Sequence, residues 1–214
     1  MRVLFLNGSS HSQGTTMKAI EEMIKVFKEE GIETEVFQVG PKPIADCLQC
    51  GYCEKHDKCV FAEDGVNSFV AKAKEADGFV FASPVYYAHP SGRILSFLDR
   101  AFFSGSKAFR YKPGASIAVA RRAGTSSSLD ALNKYFGINE MISVGSTYWN
   151  EVHGLVASDA VFDEEGMQTM RNLAKNMIWI MRCLDSGKKN GIPLPDSSLT
   201  YHTNFIRHEK SKDD

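Results

Sequence analysis

Short apolar runs alternate along this chain with amphipathic segments, a pattern typical of alternating strands and helices. The apolar runs predict strands over residues 3–6, 78–82, 116–120 and 141–145, and alternating side chains predict another over 33–39. Between them, apolar side chains recur at helical spacing. This spacing predicts helices over 17–30, 64–76, 92–103, 127–136 and 164–184. Strands that alternate with helices indicate a parallel sheet covered on both faces.

Five strands with about five helices fit a doubly wound, flavodoxin-like sheet better than a barrel, which needs eight units. We therefore expect an α/β fold with a five-stranded parallel sheet, a cysteine-rich loop after the second strand and a C-terminal extension. The expected boundaries are a domain over 1–187, its cysteine loop at 41–62, and an extended arm over 188–214. In such sheets ligands bind beyond the carboxyl ends of the strands, so the loops after strands 1, 3 and 4 are the candidates.

Four of the five cysteines lie in one short segment, with the spacing C-x2-C-x2-C-x5-C. They are Cys47, Cys50, Cys53 and Cys59. Closely spaced thiolates suit an iron–sulfur cluster, whereas a structural zinc site usually takes two separated C-x-x-C pairs. The spacing favours the cluster and leaves zinc and redox-active or vestigial thiols as alternatives. The fifth, Cys183, stands among apolar residues of the last predicted helix, which predicts plain core packing.

Composition and charge indicate which classes of partner and which cellular compartment to expect. The chain has 214 residues, is 43% hydrophobic and carries a formal net charge of −1, so nucleic acid and anionic membranes are not expected partners. No apolar stretch approaches the roughly 20 residues that span a bilayer, and the first residues lack a signal-peptide pattern. We expect a cytoplasmic protein, in which thiols stay reduced and the cysteines serve a metal or redox role.

The loop over residues 8–16 connects the first strand to the first helix and carries five hydroxyl side chains. Free N–H groups at a helix N-terminus, surrounded by serine and threonine, form a phosphate cradle. The loop has no lysine, which favours a terminal monophosphate such as that of FMN. The alternative is a polar connection in which one hydroxyl caps the helix.

Two further loops could complete a flavin site. The segment 83–90 carries two prolines and two adjacent tyrosines, so it is a rigid loop that could flank an isoalloxazine ring and tune it through backbone N–H groups. Packing in the core or at a dimer interface is the alternative. The segment 121–126 begins with two arginines, which could face the flavin pyrimidine edge or a substrate phosphate, or be solvated. Tyr148, Trp149 and His153 could form a wall of the same pocket.

The segments NGSSHSQGTT, CLQCGYCEKHDKC, SPVYYAHPSG, FLDR and ARRAG together resemble the NADPH-dependent FMN reductase group of flavodoxin-like proteins, and within it the iron–sulfur flavoproteins, over residues 1 to about 150. The resemblance implies that the four-cysteine motif holds a 4Fe-4S cluster. It implies FMN phosphate contacts at Ser9, Ser10, His11, Ser12, Gly14, Thr15 and Thr16. It implies ring contacts at Pro84, Val85, Tyr86, Tyr87 and Ala88, and ring-side contacts at Arg122, Ala123 and Gly124.

We therefore expect an FMN-dependent oxidoreductase that takes electrons from NAD(P)H through FMN, with a 4Fe-4S cluster, to a small-molecule or protein acceptor. A cluster-free NAD(P)H-dependent FMN reductase, a flavodoxin-like carrier without its own substrate and a redox sensor are the alternatives. We expect no catalytic acid–base residues, because the protein orients and tunes the cofactor. The resemblance and the predicted arm lead us to expect a homodimer or homotetramer.

Overall fold

The computed structural model describes residues 1–201 and 203, and its strands form one mostly parallel sheet. The strands are β1 (Arg2–Asn7), β2 (Glu33–Gln38), β3 (Gly78–Tyr86), β4 (His89–Pro90), β5 (Pro113–Ala120), β6 (Ile142–Ser143) and β7 (Glu151–His153). Five of them are parallel in the order β2-β1-β3-β5-β6. This is the flavodoxin-like order, so the predicted fold class is confirmed.

Six α-helices connect or cover the strands in the described part of the chain. They are α1 (Thr15–Glu29), α2 (Tyr52–His56), α3 (Val66–Glu75), α4 (Gly92–Gly105), α5 (Thr125–Ile138) and α6 (Glu164–Lys189). Within residues 1–201 and 203, none of them is both long and apolar enough to cross a bilayer.

The predicted fifth strand, 141–145, is shorter than expected because two strands share the edge of β5. The start of β5 pairs with β6 through Pro113 and Gly114, and its end pairs with β7 through Ala118 to Ala120. At the carboxyl end of β3, the short strand β4 folds back antiparallel onto β3. The additional strands β4 and β7 both lie next to the loops that were predicted to carry the site.

Both faces of the sheet are covered, as the alternation of side chains along β1 shows. Val3 and Phe5 pack in a core cluster with α1 and α6. Leu4 and Leu6 point the other way and pack with α3, α4 and α5. Successive side chains of a strand point to opposite faces, so an apolar run is needed where both faces are buried.

The prediction that Cys183 packs in the core is wrong, because this side chain is exposed. The buried stripe of α6 ends at Met181, and Leu184 is also 39% exposed. The apolar spacing of α6 therefore continues beyond the part of the helix that the sheet covers.

The boundary between domain and arm stays a prediction. Helix α6 ends at Lys189, inside the predicted arm, and the described residues after it form no helix or strand. Within that segment, Ser197 Oγ accepts a hydrogen bond from Nη2 of Arg110 at 3.0 Å. Residue 202 and residues 204–214 of the predicted arm lie outside the described residues.

Candidate functional site

A cavity of about 830 Å³ opens beyond the carboxyl ends of β1, β3 and β5. This volume lies within the roughly 300–1,000 Å³ of ordinary small-molecule sites. In a sheet of this order the switch in strand order falls between β1 and β3, where ligands bind. The walls consist of four segments, at 9–16, 84–86, 119–121 and 154–157.

The loop after β1 is held in shape partly by two side chains, Asn7 and Gln38, that were not predicted to contact the phosphate. Asn7 is fully buried at the end of β1, and its Oδ1 accepts the Ser9 N–H at 3.1 Å. Ser9 Oγ then accepts the His11 N–H at 3.1 Å. From β2, Gln38 Nε2 donates to the Ser9 carbonyl at 2.6 Å. These bonds hold the loop in one shape before any ligand binds.

The N-terminus of α1 opens into this cavity without a side-chain cap. Gly14 stands at the cap position in extended conformation, with φ −79° and ψ −177°, and no side chain of the described residues hydrogen-bonds the first turn. The first N–H groups of a helix need acceptors and carry a partial positive charge. Thr15 and Thr16 line the cavity at this point, so the arrangement suits a phosphate group.

The loop after β3 is a tight hairpin that presents one tyrosine to the cavity. Val85 pairs with Pro90 across it, and the two central residues, Tyr87 and Ala88, have φ of 48° and 62°. Tyr86 lines the cavity and is 48% exposed, whereas the Tyr87 side chain is fully exposed and outside the lining. Positive φ in residues other than glycine costs on the order of 1–2 kcal/mol each, so neighbouring contacts must stabilise this turn.

Two such contacts tie the hairpin to its neighbours. Ser127 Oγ donates to the Ala88 carbonyl at 2.6 Å, and Gly124 lies against Ala88. Ser91 joins the hairpin to the first loop, because its N–H donates to Ser83 Oγ at 2.9 Å and its Oγ donates to the Gly8 carbonyl at 2.8 Å. The three candidate loops therefore form one hydrogen-bonded unit.

Most of the residues predicted to bind FMN lie together in this cavity. The lining includes Ser9, Ser10, His11, Ser12, Gly14, Thr15, Thr16, Pro84, Val85 and Tyr86. Five predicted residues belong to the adjoining turns but are not part of the lining: Tyr87, Ala88, Arg122, Ala123 and Gly124. Tyr148, Trp149 and His153 are also outside it. The roles of all these residues in binding stay predictions.

Several lining residues were not among the predicted FMN contacts, although two of them lie in loops that the sequence had indicated. Arg121, rather than Arg122, reaches the cavity and brings a positive charge to it, and Gln13 lies in the phosphate-loop wall. The segment 154–157 closes another side, directly after β7. Strand β7 has only three residues, too few to show a period in the sequence, so the segment that follows it could not be recognised as a loop at a strand end.

The four clustered cysteines line a second, smaller cavity of about 110 Å³ between the cysteine loop and α4. Cys50 is exposed, and the other three are partly buried. Burial raises the pKa of the Cys53 thiol, and the neighbouring thiols of Cys47, Cys50 and Cys59 raise it further.

The donor set of this cavity suits a soft metal centre, although it is not arranged around one point. Among residues 1–201 and 203, no three His, Cys, Asp or Glu side chains converge as a site for a single metal ion. A zinc ion requires four ligands at about 2.0–2.3 Å from one atom. In a 4Fe-4S cluster each thiolate binds a different iron, so four thiols that border one cavity fit a cluster without such convergence.

Comparison with known proteins relates this geometry to flavoproteins. The family model for NADPH-dependent FMN reductase matches residues 1–154. An iron-sulfur flavoprotein of Methanocaldococcus jannaschii is 31% identical, over 86% of this chain and 99% of that protein.

Two solved structures share the fold. The flavoenzyme NAD(P)H:(acceptor) oxidoreductase FerB of Paracoccus denitrificans has a TM-score of 0.64, 15% identity, and coverage of 85% of this chain and 97% of its own. A flavodoxin from the domain Archaea has a TM-score of 0.58, 11% identity, and coverage of 85% and 99%.

Proposed function

This chain belongs to the NADPH-dependent FMN reductase family, and we propose that it passes electrons from NAD(P)H through FMN, with a 4Fe-4S cluster, to a small-molecule or protein acceptor. Family membership makes it an FMN reductase-like flavoprotein oxidoreductase. The nucleotide as electron donor, the cluster, the acceptor and the individual binding residues are the proposed parts.

The observation that carries the FMN site is the cavity at the uncapped N-terminus of α1. One end of this cavity is lined by hydroxyl groups and by free N–H groups of the first helical turn, and suits a phosphate. The other end is lined by Pro84, Val85 and Tyr86, and suits a flat ring. A ligand with a phosphate at one end and a ring at the other matches both.

The chain's own residues bind and orient the flavin, which when bound supplies hydride acceptance and electron transfer. Arg121 adds a positive charge to the lining, which favours a ligand that carries or gains negative charge. The half-exposed Tyr86 leaves the ring end of the cavity open to solvent, where a nicotinamide donor can approach.

The proposed cluster rests on three observations. The spacing of the four cysteines suits it, all four line one cavity, and the relative from Methanocaldococcus jannaschii is called an iron-sulfur flavoprotein. The second candidate is a cluster-free NAD(P)H-dependent FMN reductase. It is favoured by the matching family model, whose description is an NADPH-dependent FMN reductase.

We also propose a cytoplasmic homodimer or homotetramer. Large apolar side chains are exposed on several elements, among them Ile138 at 87%, Phe162 at 81% and Trp179 at 69%. Such side chains are candidates for burial between subunits. Sedimentation of the full chain tests assembly, and a monomer at micromolar concentration would contradict it.

The first experiment is anaerobic purification followed by an absorption spectrum and assays of FMN, iron, acid-labile sulfide and zinc on the same sample. We expect one FMN per chain with about four irons and four sulfides. Flavin without iron or zinc would leave the cluster-free reductase. Oxidation of NADPH or NADH with an artificial acceptor is then measured, and its absence with both nucleotides would instead indicate a pure electron carrier.

The phosphate end of the site is tested with Thr15→Val and two ligands, FMN and riboflavin. Hydrogen bonds to charged groups contribute about 1.5–3 kcal/mol, so FMN affinity should fall by roughly tenfold or more while riboflavin affinity changes little. Thr200→Val, on the exposed segment after α6, is the matched control. An equal loss for both ligands would mean that Thr15 does not contact phosphate.

A further inference from the structure

Arg100 of α4 is buried beneath the cysteine loop, with only 1% of the residue exposed. Arginine is almost never buried to this degree unless its charge is paired. It is the largest fully buried side chain of the described residues, and it lines the cavity that the four cysteines share.

The guanidinium group of Arg100 joins both ends of the cysteine loop. Nη1 donates to the Ala45 carbonyl, just before the first cysteine, at 3.2 Å. Nη1 and Nη2 both donate to the Asp64 carboxylate, the latter at 3.1 Å. The remaining donor, Nε, points at Cys59 Sγ at 3.2 Å, and the group lies 4.6 Å from the centre of the Phe61 ring.

Cys59 is held through its backbone as well as its side chain. Its N–H donates to Asn67 Oδ1 at 2.8 Å, and its carbonyl accepts from Asn67 Nδ2 at 3.0 Å. Asn67 lies in α3 and Arg100 in α4, so two core helices fix this one cysteine. Cys50, by contrast, is exposed on the loop.

The charge of Arg100 is maintained despite its burial. The Asp64 carboxylate supplies the counter-charge that compensates the burial of the guanidinium. Asp64 accepts hydrogen bonds from Nη1 and Nη2, and Nε donates to the sulfur of Cys59. Lysine could not replace this arrangement, because it lacks the planar fork that reaches three acceptors in fixed directions.

We propose that Arg100 is a positioning residue for the metal centre. Its Nε–H···S hydrogen bond holds Cys59 in place as a ligand, and its charge raises the reduction potential of a cluster bound there. This inference rests on the proposed cluster. Hydrogen bonds to the ligand sulfur and nearby positive charge both stabilise the reduced form, which carries one more negative charge. Arg100 would thus favour electron flow from flavin towards the cluster.

The test measures the potentials of the cluster and of FMN separately, by redox titration with EPR and absorption detection, in the cluster-loaded protein. Arg100→Gln removes the cation, so the cluster potential should become more negative while the FMN potential is unchanged. Asp64→Asn keeps the cation and removes its counter-charge, so the cluster potential should become more positive. Arg100→Lys should restore part of the shift. Cluster potentials equal to wild type in Arg100→Gln and Asp64→Asn would overturn the inference.

A second measurement uses the wild-type protein, in case the Arg100 variants do not fold. After transfer to D₂O, ENDOR spectra of the reduced cluster should retain a slowly exchanging proton coupled to the centre, because Nε is buried beside Cys59. Complete exchange of all coupled protons within minutes would overturn the inference even if the cluster is present. Wild-type protein with flavin and no iron would overturn the proposed cluster first, and this inference with it.

Discussion

Gly124, just before α5, lies so close to Ala88 in the hairpin after β3 that a Cβ atom on Gly124 would stand 2.5 Å from the Ala88 Cα. It would also stand 2.9 Å from a methyl group of Val85. Gly124 has φ of 90°, a conformation that side chains with a Cβ rarely adopt. The close approach of two backbones therefore sets the position of the hairpin that carries Tyr86.

Gly124→Ala should therefore weaken both the fold and the flavin site. The positive φ costs about 1–2 kcal/mol, and the contact with Ala88 can be relieved only by moving the hairpin. We expect a lower free energy of unfolding in urea for the apoprotein. FMN affinity, measured by quenching of flavin fluorescence, should fall by roughly tenfold, which corresponds to about 1.4 kcal/mol.

Gly137→Ala, near the end of the helix that Gly124 precedes, is the control. A Cβ at Gly137 meets no atom within 4 Å, and alanine is the better helix former by about 0.5–1 kcal/mol. This variant should be as stable as wild type or more so, with unchanged FMN affinity. If the two alanine variants behaved alike, the contact between Gly124 and Ala88 would have no role in the site.

The buried Asn7 offers a test of how the phosphate loop is shaped. Asn7→Ala leaves the Ser9 N–H without its acceptor, and an unsatisfied buried donor costs about 1–3 kcal/mol. We expect lower stability and weaker binding of both FMN and riboflavin, since the whole loop loses its shape. Isothermal titration with the two ligands, together with urea unfolding, measures both effects.

Asn7→Asp separates shape from charge at the same position. The carboxylate still accepts the Ser9 N–H, but it places a negative charge next to the predicted phosphate site. We expect riboflavin affinity near that of wild type, and FMN affinity reduced in a manner that weakens as salt is added. A variant that bound FMN normally at low salt would place the phosphate away from this loop.

The polar loop over residues 8–16 could be predicted from the sequence because its hydroxyl groups and glycines are adjacent in the chain. The side chains that shape it could not, because Gln38 and Ser91 reach it only once β2 and β3 lie beside β1. Short elements were missed for a related reason. Helix α2 and strand β7 have five and three residues, too few to show a period.

Cys183 was wrongly predicted to be buried because a clear helical period does not show where the covered part of a helix ends. Apolar spacing along α6 indicates which face could be buried, but not how far the sheet extends beneath it. The sequence also shows that Arg100 is charged and lies in a helix that is otherwise apolar on one side. Only the fold reveals that its acceptors are 36 to 55 residues away along the chain, in Asp64, Cys59 and Ala45.

The adjacent tyrosines of the hairpin should differ in function. Tyr86 lines the cavity, whereas Tyr87 is fully exposed and outside it. Tyr86→Ala removes part of the predicted ring contact and should lower FMN affinity by roughly three- to tenfold, since an aromatic contact contributes about 0.5–1.5 kcal/mol. Tyr87→Ala should leave FMN affinity within twofold of wild type. A larger loss in Tyr87→Ala than in Tyr86→Ala would reverse these assignments.

The ion pair between α1 and α6 gives the stability a defined dependence on pH. Glu22, with 13% of its side chain exposed, accepts from Arg171 Nη1 at 2.5 Å and from Lys25 Nζ at 2.6 Å. Burial raises the pKa of Glu22, but the hydrogen bonds from Lys25 and Arg171 outweigh it and leave the pKa below its ordinary value. The charged form is therefore favoured in the folded protein.

Because the folded pKa is depressed, the contribution of Glu22 is complete above the ordinary glutamate pKa of about 4.3 and is lost as the pH falls through the folded value. Glu22→Gln should destabilise the apoprotein by on the order of 0.5–1 kcal/mol at neutral pH and flatten the acid side of its stability curve. Glu30→Gln, which breaks an exposed pair with Arg182, is the control and should change little. Urea unfolding from about pH 3 to pH 7 measures both. Parallel curves for wild type and Glu22→Gln across this range would show that the pair between α1 and α6 does not control the acid response.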